Sequence, residues 1–261
     1  MALVRKLTAE QRRTAAHWAM DLVVVVVGVL IALWLQEWAQ RRQELKNMHA
    51  AEEAIHDEVT EALMSLIWRE AISRCHRERA ELLKSRLLNG GSQWAGLHEN
   101  AIVLEMGRIP GSVAPSVYQR PVDTFTNSAW TSALATGALA PMDHKRFARL
   151  ITLYDQIDLL RRTRDIEDDA ASRLSPLGNP LVLTPDLRAQ MLRGLYDIDR
   201  TRFVFGFQGS PAEFGALMRP LGWSDAADID RRIAETDRDV AARKIKFRPC
   251  VAKQRNPFKT N

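Results

Sequence analysis

Helix-breaking residues are scarce in this chain, which has only 13 glycines and 11 prolines among 261 residues. Collagen-like and low-complexity classes, which are rich in these residues, are therefore excluded. No internal repeat of roughly 20–50 residues is visible, so a solenoid or propeller is not expected. Nothing alternates convincingly as a strand except the segment from Phe203 to Phe207, which could equally end a helix. We predict an all-α fold.

Cysteine is also scarce, and the two that are present, Cys75 and Cys250, lie far apart in the sequence. A disulfide between them is expected if the domain folds in an oxidising compartment. Two buried or idle thiols are equally consistent with the sequence. The cysteine count alone therefore leaves the redox state of this pair open.

Motifs that carry catalysis are missing. There is no Gly-x-Ser-x-Gly, no phosphate-binding glycine loop and no His-Glu-x-x-His. Cys75 and His76 are adjacent, so their side chains diverge on a helix and do not form a nucleophile–base pair. His49, Glu53 and His56 share a helix face, but a di-iron site needs a second Glu-x-x-His and further carboxylates. We predict no catalytic, cofactor or metal site, and a protein that is not an enzyme.

Charge is unevenly distributed. The net charge is +5, yet the chain from Arg243 onward contains seven Lys/Arg residues and no acid, which leaves 30 basic and 32 acidic residues in the rest. Nucleic-acid binding by the whole protein is therefore not expected. The basic tail, residues 244–261, would suit anionic lipid headgroups or nucleic acid, but a frayed terminus explains it more simply. We predict no specific nucleic-acid partner.

One long hydrophobic run is present. Leu22–Leu35 comprises 14 residues without a polar side chain, whereas about 20 residues are needed to cross a bilayer. Trp18 and Trp38 extend the run to 21 residues and place an indole at each membrane interface. A buried soluble helix would not explain the paired tryptophans, and a cleaved signal peptide would need an A-x-A site. We predict an uncleaved transmembrane helix at residues 18–39, in contact with membrane lipid.

The charges that flank the span favour one orientation. Four basic residues precede it and three follow it: Arg5, Lys6, Arg12, Arg13, Arg41, Arg42 and Lys46. The positive-inside rule then favours a cytoplasmic N-terminus for the short segment 1–17. We expect a signal anchor of a bacterial inner membrane, single-pass, with the body of the protein in the periplasm.

Small residues mark one face of the span. At 100° per residue, five residues fall within about 40° of a common line: Asp21, Gly28, Ala32, Leu35 and Ala39. Gly28 and Ala32 form a small-xxx-small pair, which permits close helix approach, although both residue types are common in membrane helices. We predict a helix-pairing face here, with Asp21 at its edge.

The helical pattern continues without a break through residues 40–91, as a long amphipathic, coiled-coil-like helix. Its apolar positions follow a 3-4 spacing and comprise Leu45, Met48, Ile55, Val59, Ala62 and Leu66. This seam should pair with another helix, either from a second copy of the chain or from the same chain. In the second case the covering helix should be centred on Leu150 and Tyr154.

Beyond residue 91 the sequence predicts an irregular connector at 92–122 and a helical domain at 123–243. Helices are expected near 127–136 and 141–174, and from the capping residues Thr184, Ser210 and Ser224. The charged run from Arg161 to Arg173 is interpreted as a solvated face. Together with the first long helix, these elements should form an extramembrane helical bundle.

The span "VVVVVGVLIALWLQEWAQRRQE" and the later "SAWTSALATGALAPMD" resemble two segments of a group of uncharacterised bacterial single-pass membrane proteins. The resemblance implies a single membrane-spanning helix and a helical extramembrane domain. It carries no activity and no site residues. We therefore expect a membrane-anchored interaction or scaffold protein that assembles with itself or with another membrane protein. The alternative is a membrane-tethered hydrolase or metal-binding protein whose site forms on assembly.

Overall fold

The computed structural model describes residues 9–97, 117–118, 121, 125–242 and 249–259, with side chains from residue 20 onward except residue 21. Within these ranges the fold is all-α, as predicted, apart from two strands of three residues each. Most of the predicted connector at 92–122 falls outside the described residues.

The first helix, α1, runs from Ala9 to Asn89, about 120 Å at 1.5 Å per residue. It contains no proline and a single glycine, Gly28, so nothing in its sequence interrupts the hydrogen-bond ladder. It ends at Gly90, whose N–H donates to the carbonyl of Arg86 at 2.9 Å. A Cβ at Gly90 would lie 2.5 Å from that carbonyl oxygen, so the close approach requires glycine.

Five shorter helices follow in the described chain: α2 (Ser128–Ala135), α3 (His144–Arg173), α4 (Pro185–Phe207), α5 (Pro211–Met218) and α6 (Ala226–Ala242). Local caps begin three of them, because the side chains of Asp143, Thr184 and Ser210 each accept a hydrogen bond from a backbone N–H of the first turn. Phe203 and Phe207 belong to the last turns of α4, so this segment is helix and not strand.

Two short strands, β1 (Gln93–Ala95) and β2 (Pro180–Val182), pair antiparallel with Trp94 opposite Leu181. The sequence did not predict them, because three residues are too few to show an alternating pattern. The indole N–H of Trp94 donates to the carbonyl of Leu177 at 2.7 Å. This pair closes the end of the bundle where α1 stops and α3 turns back into α4.

The extramembrane domain is built around α1, α3 and α4. Hydrogen bonds and ion pairs join α1 to α3 in parallel order, while α4 returns antiparallel to both. One core lies between them near α5 and includes Ile55, Leu63, Leu150, Ile157 and Phe214. A second core lies toward the end of α1 and includes Leu83, Leu87, Leu174, Leu195 and Ile198.

The described part of the C-terminal tail, residues 249–259, lies against this domain. The N–H of Ala252 donates to the carbonyl of Ala71 at 2.8 Å, and the ring of Phe258 packs on Gly215. Asn256 Nδ2 donates to the carbonyl of Ala226 at 2.8 Å. The interpretation of the tail as a frayed terminus is therefore wrong for these residues, because long-range contacts that the local composition does not reveal hold them in place.

Candidate functional site

The apolar part of α1 stands apart from the domain. From Leu22 to Trp38 its side chains are exposed, and Leu22 and Trp34 keep 65% and 63% of their surface accessible. Within the described residues this helix is long and apolar enough to cross a membrane, and no part of the domain covers that stretch. An exposed apolar surface of this length is unfavourable in water and favourable in lipid.

The predicted pairing face in the apolar part of α1 is open. Gly28, Ala32, Leu35 and Ala39 are exposed, and no described residue outside the helix's own neighbouring turns lies within 4 Å of the position that a Cβ on Gly28 would take. The side chain of Asp21 lies outside the described residues. Helix pairing through this face therefore remains a prediction.

The C-terminal part of the predicted seam, from Ile55 to Leu66, has its partner within the same chain. Ile55, Val59, Ala62 and Leu66 have at most 1% of their surface exposed and belong to the core that contains Leu150 and Tyr154. The prediction of an interface with a second copy is therefore corrected for these four positions, because later helices of the same chain contribute to the core that buries them. Leu45 is exposed and Met48 is half-buried, so only the N-terminal end of the seam, nearest the apolar segment, is accessible.

Glu58, on the buried face of α1, joins three helices. Its Oε1 accepts hydrogen bonds from the backbone N–H and the hydroxyl of Ser128 at 2.7 and 2.9 Å, and from the N–H of Ala129 at 3.3 Å. Its Oε2 accepts from the Tyr154 hydroxyl at 2.7 Å. Since Asn127, the N-cap residue of α2, makes no side-chain capping bond, Glu58 caps this helix from outside.

The electrostatics of Glu58 follow from these contacts. Burial alone would raise its pKa, but hydrogen bonds from Tyr154, Thr126 and Ser128 outweigh burial and hold the pKa below its ordinary value. Burial and the same carboxylate raise the pKa of the Tyr154 hydroxyl. The pair is therefore a carboxylate with a neutral phenol.

A second buried polar cluster lies further along α1. Arg69 Nη1 donates to Glu167 Oε2 at 2.9 Å, and both side chains are buried. The Arg69 guanidinium also stacks on the ring of Phe205, 3.5 Å from its centroid. The Tyr118 hydroxyl lies 3.4 Å from Glu167 Oε1 and 3.1 Å from His76 Nδ1. Four residues from three parts of the chain thus form one chain of polar contacts.

Burial controls the protonation of this cluster. Burial, together with the positive charges of Arg69 and Arg202, lowers the pKa of His76 to about 3, so its imidazole is neutral at pH 7. Burial raises the pKa of Glu167, and the ion pair with Arg69 only partly opposes it. Burial and the Glu167 carboxylate raise the pKa of Tyr118. The cluster combines one close ion pair with a neutral phenol and a neutral imidazole.

A cavity of about 240 Å³ lies against this cluster. Its described walls come from α1, α3, the end of α4, the start of α5 and the segment around Tyr118, and they include Leu66, Ser73, Phe205, Gly206 and Pro211. Within the part of the chain that the structure describes, His76 Nε2 is buried without a hydrogen-bond partner. The cavity therefore has a polar atom in its wall that this part of the chain does not satisfy.

Sequence reasoning missed this cluster. Glu167 lies in the charged run that was expected to be a solvated face, yet it is only 3% exposed. Its burial corrects that expectation, because Arg69, 98 positions away, neutralises it. A signal was present in the periodicity: Arg69 continues the seam three residues after Leu66, and Glu167 lies seven residues after buried Leu160. A charge on an apolar stripe indicates a buried partner.

The side chains on the polar face of α1 near His49 make contacts of other kinds. In the described part of the chain, no group of three or more His, Cys, Asp or Glu side chains is placed to hold a metal ion. Glu52 instead accepts a 2.5 Å hydrogen bond from Arg146 Nε, and the ring of His56 packs edge-on against Trp223. Glu53 is exposed.

Cys75 and Cys250 form a disulfide in the structure, with a Cα–Cα distance of 5.1 Å. Of the two states that the sequence left open, this is the oxidised one. The bond joins the C-terminal part of α1 to the C-terminal tail, and Ile72 and Val251 pack beside it. It lies one residue from His76, so the same turn of α1 carries both the disulfide and the polar cluster.

These features define a class: an all-helical protein in which one helix carries an exposed apolar segment at its N-terminal end and continues into a disulfide-closed helical domain. No known protein family, curated protein or solved structure matches the chain. Function therefore has to be argued from the molecule itself.

Proposed function

We propose that this protein is a membrane-anchored helical interaction protein that works as a scaffold through its helix surfaces. The observation that carries the proposal is the continuity of α1. The same unbroken helix holds the exposed apolar segment at Leu22 and, about 50 Å further along its axis at 1.5 Å per residue, the buried residue Ile55. The position of the domain is thus coupled to that of the membrane helix.

We place the domain on the periplasmic side of a bacterial inner membrane, with the N-terminus in the cytoplasm. The disulfide between Cys75 and Cys250 supports this, because structural disulfides persist in oxidising compartments and are rare in the cytosol. The excess of basic residues before the span points in the same direction. The proposed partners are lipid and either a second copy of the chain or another membrane protein.

We further propose that the protein is not an enzyme. This is supported by the cavity, in which His76 Nε2 has no hydrogen-bond partner in the described ranges of the chain and so contacts no nucleophile there. The alternative, a membrane-tethered hydrolase or metal-binding protein, would have to complete its site on assembly. Metal analysis of the purified protein distinguishes the two: a stoichiometric transition metal lost on His49→Ala or His56→Ala would favour the alternative.

Topology tests the proposal directly. An alkaline-phosphatase fusion after the domain should be active, and a cytoplasmic fluorescent reporter at the same position should be dark. Cys75 and Cys250 should resist alkylation in intact cells until a reductant is added. A dark phosphatase with a bright fluorescent reporter would reverse the orientation, and a soluble, shortened protein would refute the anchor.

A further inference from the structure

The cavity beside Arg69 has two unsatisfied polar atoms at its boundary. His76 and Arg202 both line it, and among the described residues the buried atoms His76 Nε2 and Arg202 Nη1 have no hydrogen-bond partner. Arg202 is only partly neutralised, with its Nη2 2.9 Å from Asp199 Oδ1. Leaving a buried polar atom unpaired is costly, so native proteins rarely do so without a functional reason.

Both atoms can act as hydrogen-bond donors. Arginine has donors only. The Tyr118 hydroxyl is closer to His76 Nδ1, at 3.1 Å, than to Glu167 Oε1, at 3.4 Å. The Tyr118 hydroxyl can donate to Glu167 Oε1 or to His76 Nδ1, and when it donates to Nδ1 the single proton of the neutral imidazole is on Nε2. An anion in the cavity favours this tautomer, in which the cavity presents two N–H donors.

The charge and polarity of the walls define the matching ligand. Three arginines, Arg69, Arg77 and Arg202, line the cavity together with two glutamates, Glu70 and Glu167. Glu167 pairs with Arg69, and Asp199 pairs with Nη2 of Arg202, which leaves Arg202 Nη1 as the donor available to a ligand. Much of the remaining wall is apolar, with contributions from Leu66, Phe205 and three prolines or glycines near the start of α5. An apolar cavity of about 150 Å³ accommodates benzene, so 240 Å³ suits a ligand of roughly ten non-hydrogen atoms.

We propose that this cavity binds a small organic monocarboxylate with an apolar body. Its carboxylate oxygens accept hydrogen bonds from Arg202 Nη1 and His76 Nε2, and its apolar body lies against Leu66 and Phe205. Charge-assisted hydrogen bonds of this kind are stronger than neutral ones, and burial in a largely apolar cavity strengthens them further. The site gives the domain a ligand-dependent surface on the face where α4 meets α5.

The test uses the full-length protein in detergent micelles and fluorine NMR of 4-fluorobenzoate. The probe should bind saturably to the parent protein. Arg202→Met, which removes the charge, and His76→Asn, which keeps a partner for Tyr118 but removes Nε2, should each weaken binding about tenfold. The matched control is Arg200→Met, an exposed residue on the same helix outside the cavity, and it should bind like the parent.

Two further probes distinguish the contribution of the carboxylate from that of the apolar ring. 4-Fluorobenzyl alcohol, which has the same ring without the carboxylate, and inorganic phosphate, which has the charge without the ring, should both bind much more weakly. Bound 4-fluorobenzoate should also raise the pKa of His76 in histidine NMR spectra, because a nearby anion favours the imidazolium. Equal binding of alcohol and acid, preferential binding of phosphate, or full affinity in a correctly folded Arg202→Met protein would each overturn the proposal.

Discussion

A single carboxylate, Glu58, satisfies donors from two other helices at once. Glu58→Gln would replace one accepting oxygen with an NH₂ group and remove the charge that caps α2. We expect the free energy of unfolding to fall by about 1–3 kcal/mol, measured by denaturant titration. Glu53→Gln is the control, since Glu53 is exposed on the same helix, and it should change stability by less than about 0.5 kcal/mol. Equal effects of the two changes would contradict the role assigned to Glu58.

His76 should make the domain sensitive to acid. Its pKa in the folded protein, about 3, lies below the 6.5 of an ordinary histidine, so the unfolded chain takes up this proton first as the pH falls. The contribution of the neutral imidazole is therefore complete above pH 6.5 and is lost between pH 6.5 and 3, with a slope of up to about 1.4 kcal/mol per pH unit.

The comparison with His76→Asn isolates this contribution. Glu167, whose pKa is raised by burial, acts in the opposite direction, because the folded state then takes up its proton before the unfolded state does. Thermal unfolding followed from pH 7 to 4 should thus show a steeper loss of stability in the parent protein than in the variant. Parallel curves would show that His76 is protonated equally in both states.

Among the elements, α1 has two different surroundings: its N-terminal part is exposed and apolar, and its C-terminal part belongs to the core of the domain. Ile55 is fully buried in the core that also contains residues of α3 and α5, so Ile55→Asp should destabilise the monomer by about 4 kcal/mol or more. Circular dichroism during heating measures this loss. Ala54→Asp, one residue away on the exposed side, should cost less than about 1 kcal/mol. A folded Ile55→Asp protein that loses only its self-association would restore the seam as an interface between copies.

The exposed apolar segment in the N-terminal half of α1 supports a different prediction. Gly28→Leu should leave the domain folded, because no part of the described domain packs near Gly28. It should reduce cross-linked dimers in membranes by about tenfold if the small-residue face pairs two helices. Val26→Leu, roughly on the opposite side of the helix, is the control and should be neutral. Absence of dimers in the parent protein would direct the search toward a different membrane partner.

At the scale of the whole molecule, the disulfide closes the chain into a loop over a sequence separation of 175. Cross-linking so distant a pair limits the unfolded state, so we expect Cys75→Ser with Cys250→Ser to cost about 2–5 kcal/mol. Reduction of the parent protein should also release residues 249–259 to proteolysis before the helices are cut, because the disulfide is the covalent link between this segment and α1. Lys253→Gln, an exposed change in the same segment, serves as the control and should leave protection intact.

The sequence by itself determined the features that depend on neighbours in the chain. The helical class, the apolar span, and the caps at Thr184 and Ser210 follow from composition and spacing over a few residues, where intrinsic preference and local hydrogen bonds decide the outcome. Residue identities at the seam also showed that a helix had to cover it.

Only the tertiary structure decided which helix that was, and which charges became internal. Arg69 and Glu167 are 98 positions apart, and each alone resembles an ordinary surface charge. Their burial depends on α1 and α3 lying side by side, which no local pattern encodes. The same holds for the Glu58 cap and for the disulfide. Long-range pairing sets the polar interior and its cavity, because a buried polar group is tolerated only where a distant partner satisfies it.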